Sequence, residues 1–206
     1  MTPVARTIRI GVTGPIGCGK SQVGHWLAER GARVVDADRV AREVTAPGTP
    51  VHAAILRRFG ASIAAADGTV DRAALGRVVF ADPAALRDLE ALVHPAVRPW
   101  ILELIAAAES DAAPAVVIEA IKLVEGGLAH LCDEVWLVTC GPAAQRARLL
   151  ARGMPGPEAD LRIAAQAGMT GRLRPSATRV LDTSGGVGET RGAVVKAYEA
   201  ALAAAG

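Results

Sequence analysis

A few residue types at particular spacings carry the chemistry that this 206-residue sequence can do. Gly14-Pro15-Ile16-Gly17-Cys18-Gly19-Lys20-Ser21 fits the phosphate-loop pattern GxxxxGK[ST], with Gln22 following it. Glycines let backbone N–H groups turn toward phosphate oxygens, a lysine adds a positive charge at the β/γ-phosphates, and a serine hydroxyl can bind Mg²⁺. Pro15 is compatible, since the second position contributes a turn and no essential donor, and Cys18 is small enough for its place. Next come Asp36-Ala37-Asp38 and Arg42. Asp38 and Arg42, four apart at the start of a helix, share one face. Asp38 can orient an acceptor hydroxyl and take its proton late in phosphoryl transfer, while Arg42 holds an anionic group of the acceptor. Against this stands the plainer reading that either aspartate caps the helix. Glu119 ends a Val/Ile run where a carboxylate approaches Mg²⁺, directly or through water, if it is not simply a solvated strand end. Lys122 and Glu125 follow at three and six residues and can pair with neighbours.

Between Gln145 and Arg179 the sequence has seven arginines (146, 148, 152, 162, 172, 174 and 179), no lysine, and only Glu158 and Asp160 as acids. In a chain of net charge +2 such an imbalance calls for an anionic partner. Arg148 and Arg152 lie on one helix face and can point into a cleft, so a lid over ATP suits the segment, with Arg162 and Arg179 also readable as solvated surface. Gly153-Met154-Pro155-Gly156-Pro157 marks a joint between helices where such a lid hinges.

These groups need a scaffold that brings them to one edge. Val/Ile/Leu runs at TIRIGVTG, ARVVDAD, PAVVIEA, DEVWLVTC and TRVLDTSG alternate with helical stretches, which predicts five parallel strands covered on both faces. Parallel strands present all their C-terminal ends at one edge, and that places Asp36 and Asp38 close to the phosphate loop. From about 47 to 110 the pattern is helical with no strand of comparable strength, and it is too long for a plain crossover. WILELIAAAE, Trp100 to Glu109, reads as a buried helix.

Composition narrows the classes. The chain is 51% hydrophobic and 3% aromatic. With so few aromatics and so little net charge it is no single-strand nucleic-acid platform. No apolar run approaches the ~18 residues of a membrane span, and the N-terminus has no signal-peptide pattern. We expect a cytoplasmic chain without membrane or nucleic-acid partners, monomeric or weakly self-associating. Cys18, Cys132 and Cys140 suggest neither a disulfide framework nor a zinc site, and four scattered histidines lack ligand spacing.

Taken together, GVTGPIGCGKS, VVDADRVAREV, DGTVDRAALGRVVF, LEALVHPAVR, CDEVWLV, QRARLLAR, RIAAQ and VLDTSG resemble the dephospho-coenzyme A kinase family over almost the whole chain. The resemblance implies an α/β P-loop kinase fold of three layers: a five-stranded parallel sheet, a helical acceptor-binding insertion at about 47–110 and a helical lid at about 142–176. It implies transfer of the ATP γ-phosphate to the ribose 3′-hydroxyl of dephospho-CoA, the last step of coenzyme A synthesis. Lys20 and Ser21 match the phosphate and Mg²⁺ groups, Asp38 the base, Arg42 its companion, and Arg148 and Arg152 the lid arginines. His94, in the His-Pro pair, falls on the acceptor side. Three positions depart from the family pattern. Ile121-Lys122-Leu123-Val124-Glu125 replaces a PLLFE run, keeping Glu125 and offering Lys122 to the acceptor's diphosphate. Thr183 stands where asparagine is usual near the adenine, and Thr178 replaces an aspartate. The alternatives are another small-molecule P-loop kinase, of nucleoside or nucleoside-monophosphate type, and a nucleotide-binding regulator without catalysis.

Overall fold

In a computed structural model, residues 6–205 are described and form two compact units: the chain up to Asp36 together with Ile105 onward, and Ala37–Leu104. The first unit is built on β1 (Ile8–Thr13), β2 (Arg33–Asp36), β3 (Ala115–Glu119), β4 (Glu134–Thr139) and β5 (Arg179–Asp182). All pair in parallel, in the order β2-β3-β1-β4-β5. The five expected strands are therefore all present, trimmed at their ends.

Period-two alternation sorts their side chains. Ile8, Ile10 and Val12 of β1, Ala115 and Val117 of β3, and Trp136 and Val138 of β4 face one core. Covering that face are α1 (Lys20–Ala28), through Val23, Trp26 and Leu27, and α9 (Val187–Ala205), through Val194, Tyr198 and Ala201. On the other face Leu137 of β4 packs with Met169 and Leu173 of α8 (Met169–Leu173). Between β4 and α8 run α6 (Pro142–Ala151) and α7 (Gly156–Ala165), joined at Gly153, whose φ of +82° suits a residue without Cβ. Thr178 does structural work in place of an aspartate: its hydroxyl donates to the Val135 carbonyl and accepts the Val135 N–H, fastening the start of β5 to β4.

The second unit holds α2 (Ala37–Val44), α3 (Pro50–Phe59), α4 (Arg72–Ala81) and the first part of α5 (Pro83–Ser110). Among its described residues the single β contact is the Ala64–Val70 bridge. Thr49 caps α3 by accepting the His52 N–H, and Asp71 caps α4 by accepting from Ala73 and Ala74. Ile55, Ile63, Ala74, Leu75, Val79 and Ala85 form its core. Its bounds differ from the 47–110 drawn on the sequence, because α2 begins directly after β2 and α5 runs unbroken past Leu104. By length and composition alone α5 could cross a bilayer. It is buried along one face only, however, and is not the buried helix expected of WILELIAAAE: Val97, Ile101, Ile105 and Ala108 are buried while Trp100, Leu102 and Leu104 are 41–46% exposed.

Glu134 and Arg179 join β4 to β5 at their starts through two hydrogen bonds of 2.6 and 2.8 Å, and Trp136 Nε1 donates to the same carboxylate at 2.6 Å. The guanidinium, against the opposing effect of burial, holds the Glu134 carboxyl below the usual glutamate range. A group with a depressed folded pKa stabilises fully above its unfolded value of about 4.3 and loses that contribution as pH falls through the lower folded value. Glu134→Gln should therefore cost about 1–2 kcal/mol at pH 7, lowering Tm by a few degrees. Thermal melts from pH 7 down to pH 3 should show the two proteins converging below about pH 4.

Candidate active site

The loop after β1 closes over the sheet's C-terminal edge. Gly14, at φ +141°, passes so near β4 that a Cβ there would overlap the Val138 carbonyl. Gly17, at φ +77°, lies over α6, whose Gln145 carbonyl would be 3.0 Å from an added Cβ. Left-handed glycines alternating along a loop turn successive N–H groups inward, making an anion nest. Gly19, also left-handed, ends the loop as the N-cap of α1. Lys20 is only 8% exposed, and its Nζ donates to the Gly14 and Pro15 carbonyls at 2.9 and 3.2 Å. Ser21 Oγ donates to Glu119 Oε1 at 2.8 Å. Gly24, one turn along α1, lies beside this carboxylate: a Cβ there would stand 3.6 Å from Glu119 Oε2, an ordinary contact. Nothing in the sequence marked Gly24.

Glu119 pairs in register with Val12 of β1 and with Asp36 of β2. Asp36 thus ends its strand on the same edge, but one strand, β3, intervenes between it and β1; chain order made the two look adjacent. Ile121–Glu125 turns away from β3, held by Thr13 Oγ1 donating to the Ile121 carbonyl. Leu123, fully buried, fills the space left by Gly11, so Lys122 and Glu125 on either side of it are exposed.

A cleft of about 200 Å³ opens between Gly19, Gln22 and Trp26 on one side, Arg148 of α6 and its C-cap Arg152 on another, and the Thr183–Val187 turn. Trp26, an aromatic wall, is a lining residue that sequence reasoning did not single out. Thr183 lines the cleft, yet its hydroxyl is engaged by the protein itself. It accepts from Arg148 Nη1 at 2.8 Å and lies 2.8 Å from the Cys18 carbonyl and 3.2 Å from that of Thr139. Asp182, before it, accepts the Ser184 N–H, and Ser184 holds its carboxyl below the usual aspartate range. Two of the seven arginines are spent on the two local acids: Arg146 pairs with Asp160 and Arg162 with Glu158, all well exposed. Arg179 belongs to the β4–β5 clamp.

Asp38, Arg42 and His94 belong to the second unit. Asp38 lies in the first turn of α2 and Arg42 in its last, both exposed, and His94 is half-buried in α5. Arg72, the first residue of α4, was not singled out by motif or spacing. Partial burial, then the charge of Arg42, depresses its pKa, and it donates to Thr45 Oγ1 at 3.2 Å.

The cysteines correct the sequence expectation: Cys18 and Cys140 form a disulfide, with Cα atoms 5.1 Å apart and 122 positions apart in sequence. β1 and β4 are neighbours, so the residues just beyond their ends meet. Spacing along the chain shows nothing of that.

The sequence matches the dephospho-CoA kinase family over residues 8–189. A dephospho-CoA kinase of Symbiobacterium thermophilum is 44% identical over 198 residues, covering 96% of this chain and 82% of that one. The chain belongs to the dephospho-CoA kinase family. It is an ATP-dependent kinase of coenzyme A synthesis, like other members. A Thermus thermophilus protein of known structure superposes with a TM-score of 0.79 at 35% identity, covering 95% of this chain and 97% of its own. The dephospho-CoA kinase of Campylobacter jejuni, at 22% identity and a TM-score of 0.66 over 93% of this chain and 95% of its own, shares the fold. The five-stranded parallel P-loop kinase fold expected from the residues is thus the one observed.

Cys132 is the free cysteine among the described residues, and burial pushes its thiol up to about 12. Protein purified without reductant and then denatured should react with one equivalent of a thiol reagent per chain, rising to three after reduction. Three equivalents from the outset would remove the Cys18–Cys140 bond.

Proposed function

We propose that this chain transfers the γ-phosphate of ATP to the ribose 3′-hydroxyl of dephospho-CoA, with its nucleotide on the Gly14–Gln22 loop and its acceptor chemistry in Asp38 and Arg42. The observation that carries this reading is the meeting of Lys20, Ser21 and Glu119 on the sheet's C-terminal edge, a cation and two oxygen donors aimed at one loop. Phosphoryl transfer asks the protein mainly for positioning and for charge to neutralise charge. Lys20, already drawn inward by two carbonyls, would exchange them for β/γ-phosphate oxygens.

The Ser21 hydroxyl and Glu119 carboxylate suit Mg²⁺. Both are hard oxygen donors, 2.8 Å apart. Bound there, the ion would neutralise charge on the phosphates. The neighbouring cleft takes the nucleoside part of ATP, with Trp26 as a wall and Arg148 and Arg152 supplying positive charge from α6 and its C-cap. In this reading α6 to α8 serve as the lid. Arg148, tied to Thr183, stands ready to neutralise charge on the transferring phosphoryl group.

On the acceptor side Asp38 orients the hydroxyl and receives its proton late in the transfer. A carboxylate is a weak base toward a ribose hydroxyl, so positioning comes first and the proton passes late. Arg42, with Arg72 beside it, supplies charge for an anionic group of the acceptor, while His94, Asp36, Lys122 and Glu125 are the further acceptor contacts of this proposal. The enzyme works in the cytoplasm on small molecules, as a monomer or weak oligomer. There the Cys18–Cys140 pair meets reducing conditions.

ATP-dependent phosphorylation of dephospho-CoA should far exceed that of adenosine or AMP; absence of turnover on dephospho-CoA would sink the proposal. Asp38→Asn should reduce kcat by about a hundredfold or more while ATP binding stays within a few-fold, and equal loss of both would demote Asp38 to a helix cap. Lys122→Ala should raise KM for dephospho-CoA and leave KM for ATP unchanged.

A further inference from the structure

Ile16 contributes no side-chain chemistry to the phosphate loop, yet both polar groups of its backbone are held by side chains from distant helices. Gln145, buried in α6 at 7% exposure, donates its Nε2–H to the Ile16 carbonyl at 2.8 Å. Gln166, the C-cap of α7 and 150 residues away in sequence, accepts the Ile16 N–H at Oε1, 2.7 Å. The two amides act in opposite senses, one as donor and one as acceptor.

What they hold follows from the planarity of the trans peptide, whose C=O and N–H point to opposite sides. The Ile16 N–H belongs to the same peptide plane as the Pro15 carbonyl. With Gln166 fixing the N–H on one side, the carbonyl is turned the other way, where it receives Lys20 Nζ at 3.2 Å. The Ile16 carbonyl likewise shares its plane with the Gly17 N–H. Gln145 draws the carbonyl toward α6 and so directs the Gly17 N–H away from α6. Two consecutive peptide planes of the loop are thereby set from outside it. A third tie comes from α6 as well: Arg148 donates to Thr183 Oγ1, which hydrogen-bonds the Cys18 carbonyl.

We propose that Gln145 and Gln166 are positioning residues for phosphoryl transfer, acting through the Pro15–Ile16 and Ile16–Gly17 peptides on Lys20 and on the Gly17 N–H. The loop's donors are then fixed before nucleotide arrives, and little reorganisation remains for the chemical step. Because Gln145 sits on α6, which carries Arg148 and is capped by Arg152, and Gln166 caps the next helix, α7, the loop is fully ordered only with that segment in place. The inference rests on reading the loop as the phosphoryl-transfer site.

The test uses the full chain and four variants: Gln145→Leu, Gln145→Glu, Gln166→Leu and Gln166→Glu. It reads steady-state kinetics with ATP and dephospho-CoA, ADP binding by calorimetry, thermal melts, and hydrogen exchange of the Ile16 amide. Both leucine variants should lose about ten- to a hundredfold in kcat and bind ADP more weakly, with KM for dephospho-CoA unchanged. A glutamate at 166 still accepts, so Gln166→Glu should keep the slow exchange of the Ile16 amide that Gln166→Leu loses. A glutamate at 145 cannot donate as a carboxylate, so Gln145→Glu should behave like Gln145→Leu. Wild-type kcat in folded leucine variants would overturn the proposal, as would equally fast Ile16 exchange in Gln166→Glu and Gln166→Leu. Should the wild type fail to phosphorylate dephospho-CoA, the substrate reading falls, while ADP binding and Ile16 exchange still decide this one.

Discussion

The ammonium of Lys20 is the most demanding group in the molecule: a full positive charge 8% exposed, inside a glycine loop. An unpartnered charge at that depth costs several kcal/mol, and here it is met by the carbonyls of Gly14 and Pro15. Those carbonyls face inward only because the loop follows a path that a side chain at position 14 would block against Val138. Position 14 in turn depends on β1 and β4 being parallel neighbours. The sheet's topology, the choice of glycine and the state of the lysine are links in one chain of cause, and the nucleotide-binding capacity comes last in it.

The same edge gathers the remaining groups by strand register. Val12, Glu119 and Asp36 lie side by side across β1, β3 and β2, so a carboxylate reaches Ser21 without any special loop. On the β4–β5 side the polar side chains serve mostly to hold structure. Thr178 and the Glu134–Arg179 pair fasten the strand starts, and Thr183 is tied to Cys18 and Thr139. The arginine-rich segment divides accordingly. Arg146 and Arg162 answer nearby acids on an exposed surface, where ion pairs contribute little, whereas Arg148 and Arg152 face the cleft.

What could be read from the sequence was local in origin. The GxxxxGKS loop, the five apolar runs and the Gly153–Pro157 joint each declare themselves within a dozen residues through conformational preference and burial. Features made by distant residues did not. Gln145 and Gln166 stand in motifs that carry the family resemblance, yet their role shows only when Ile16 is found between them. Arg72 gains interest only from the nearness of Arg42, and Cys18 and Cys140 only from strand adjacency. The limits of the second unit leave no mark in composition for a related reason. Asp36 passes into α2 with no linker, and the first Pro-Gly signal comes ten residues later. At the other end α5 carries Pro95 and Pro99 without breaking, so composition gives no sign of the division at Leu104.

The bond between Cys18 and Cys140 has a topological consequence. It closes a covalent ring that contains the whole of Ala37–Leu104. In the oxidised protein a single protease cut anywhere in that ring leaves one molecule, its two pieces still joined beside the phosphate loop. Only reduction releases them.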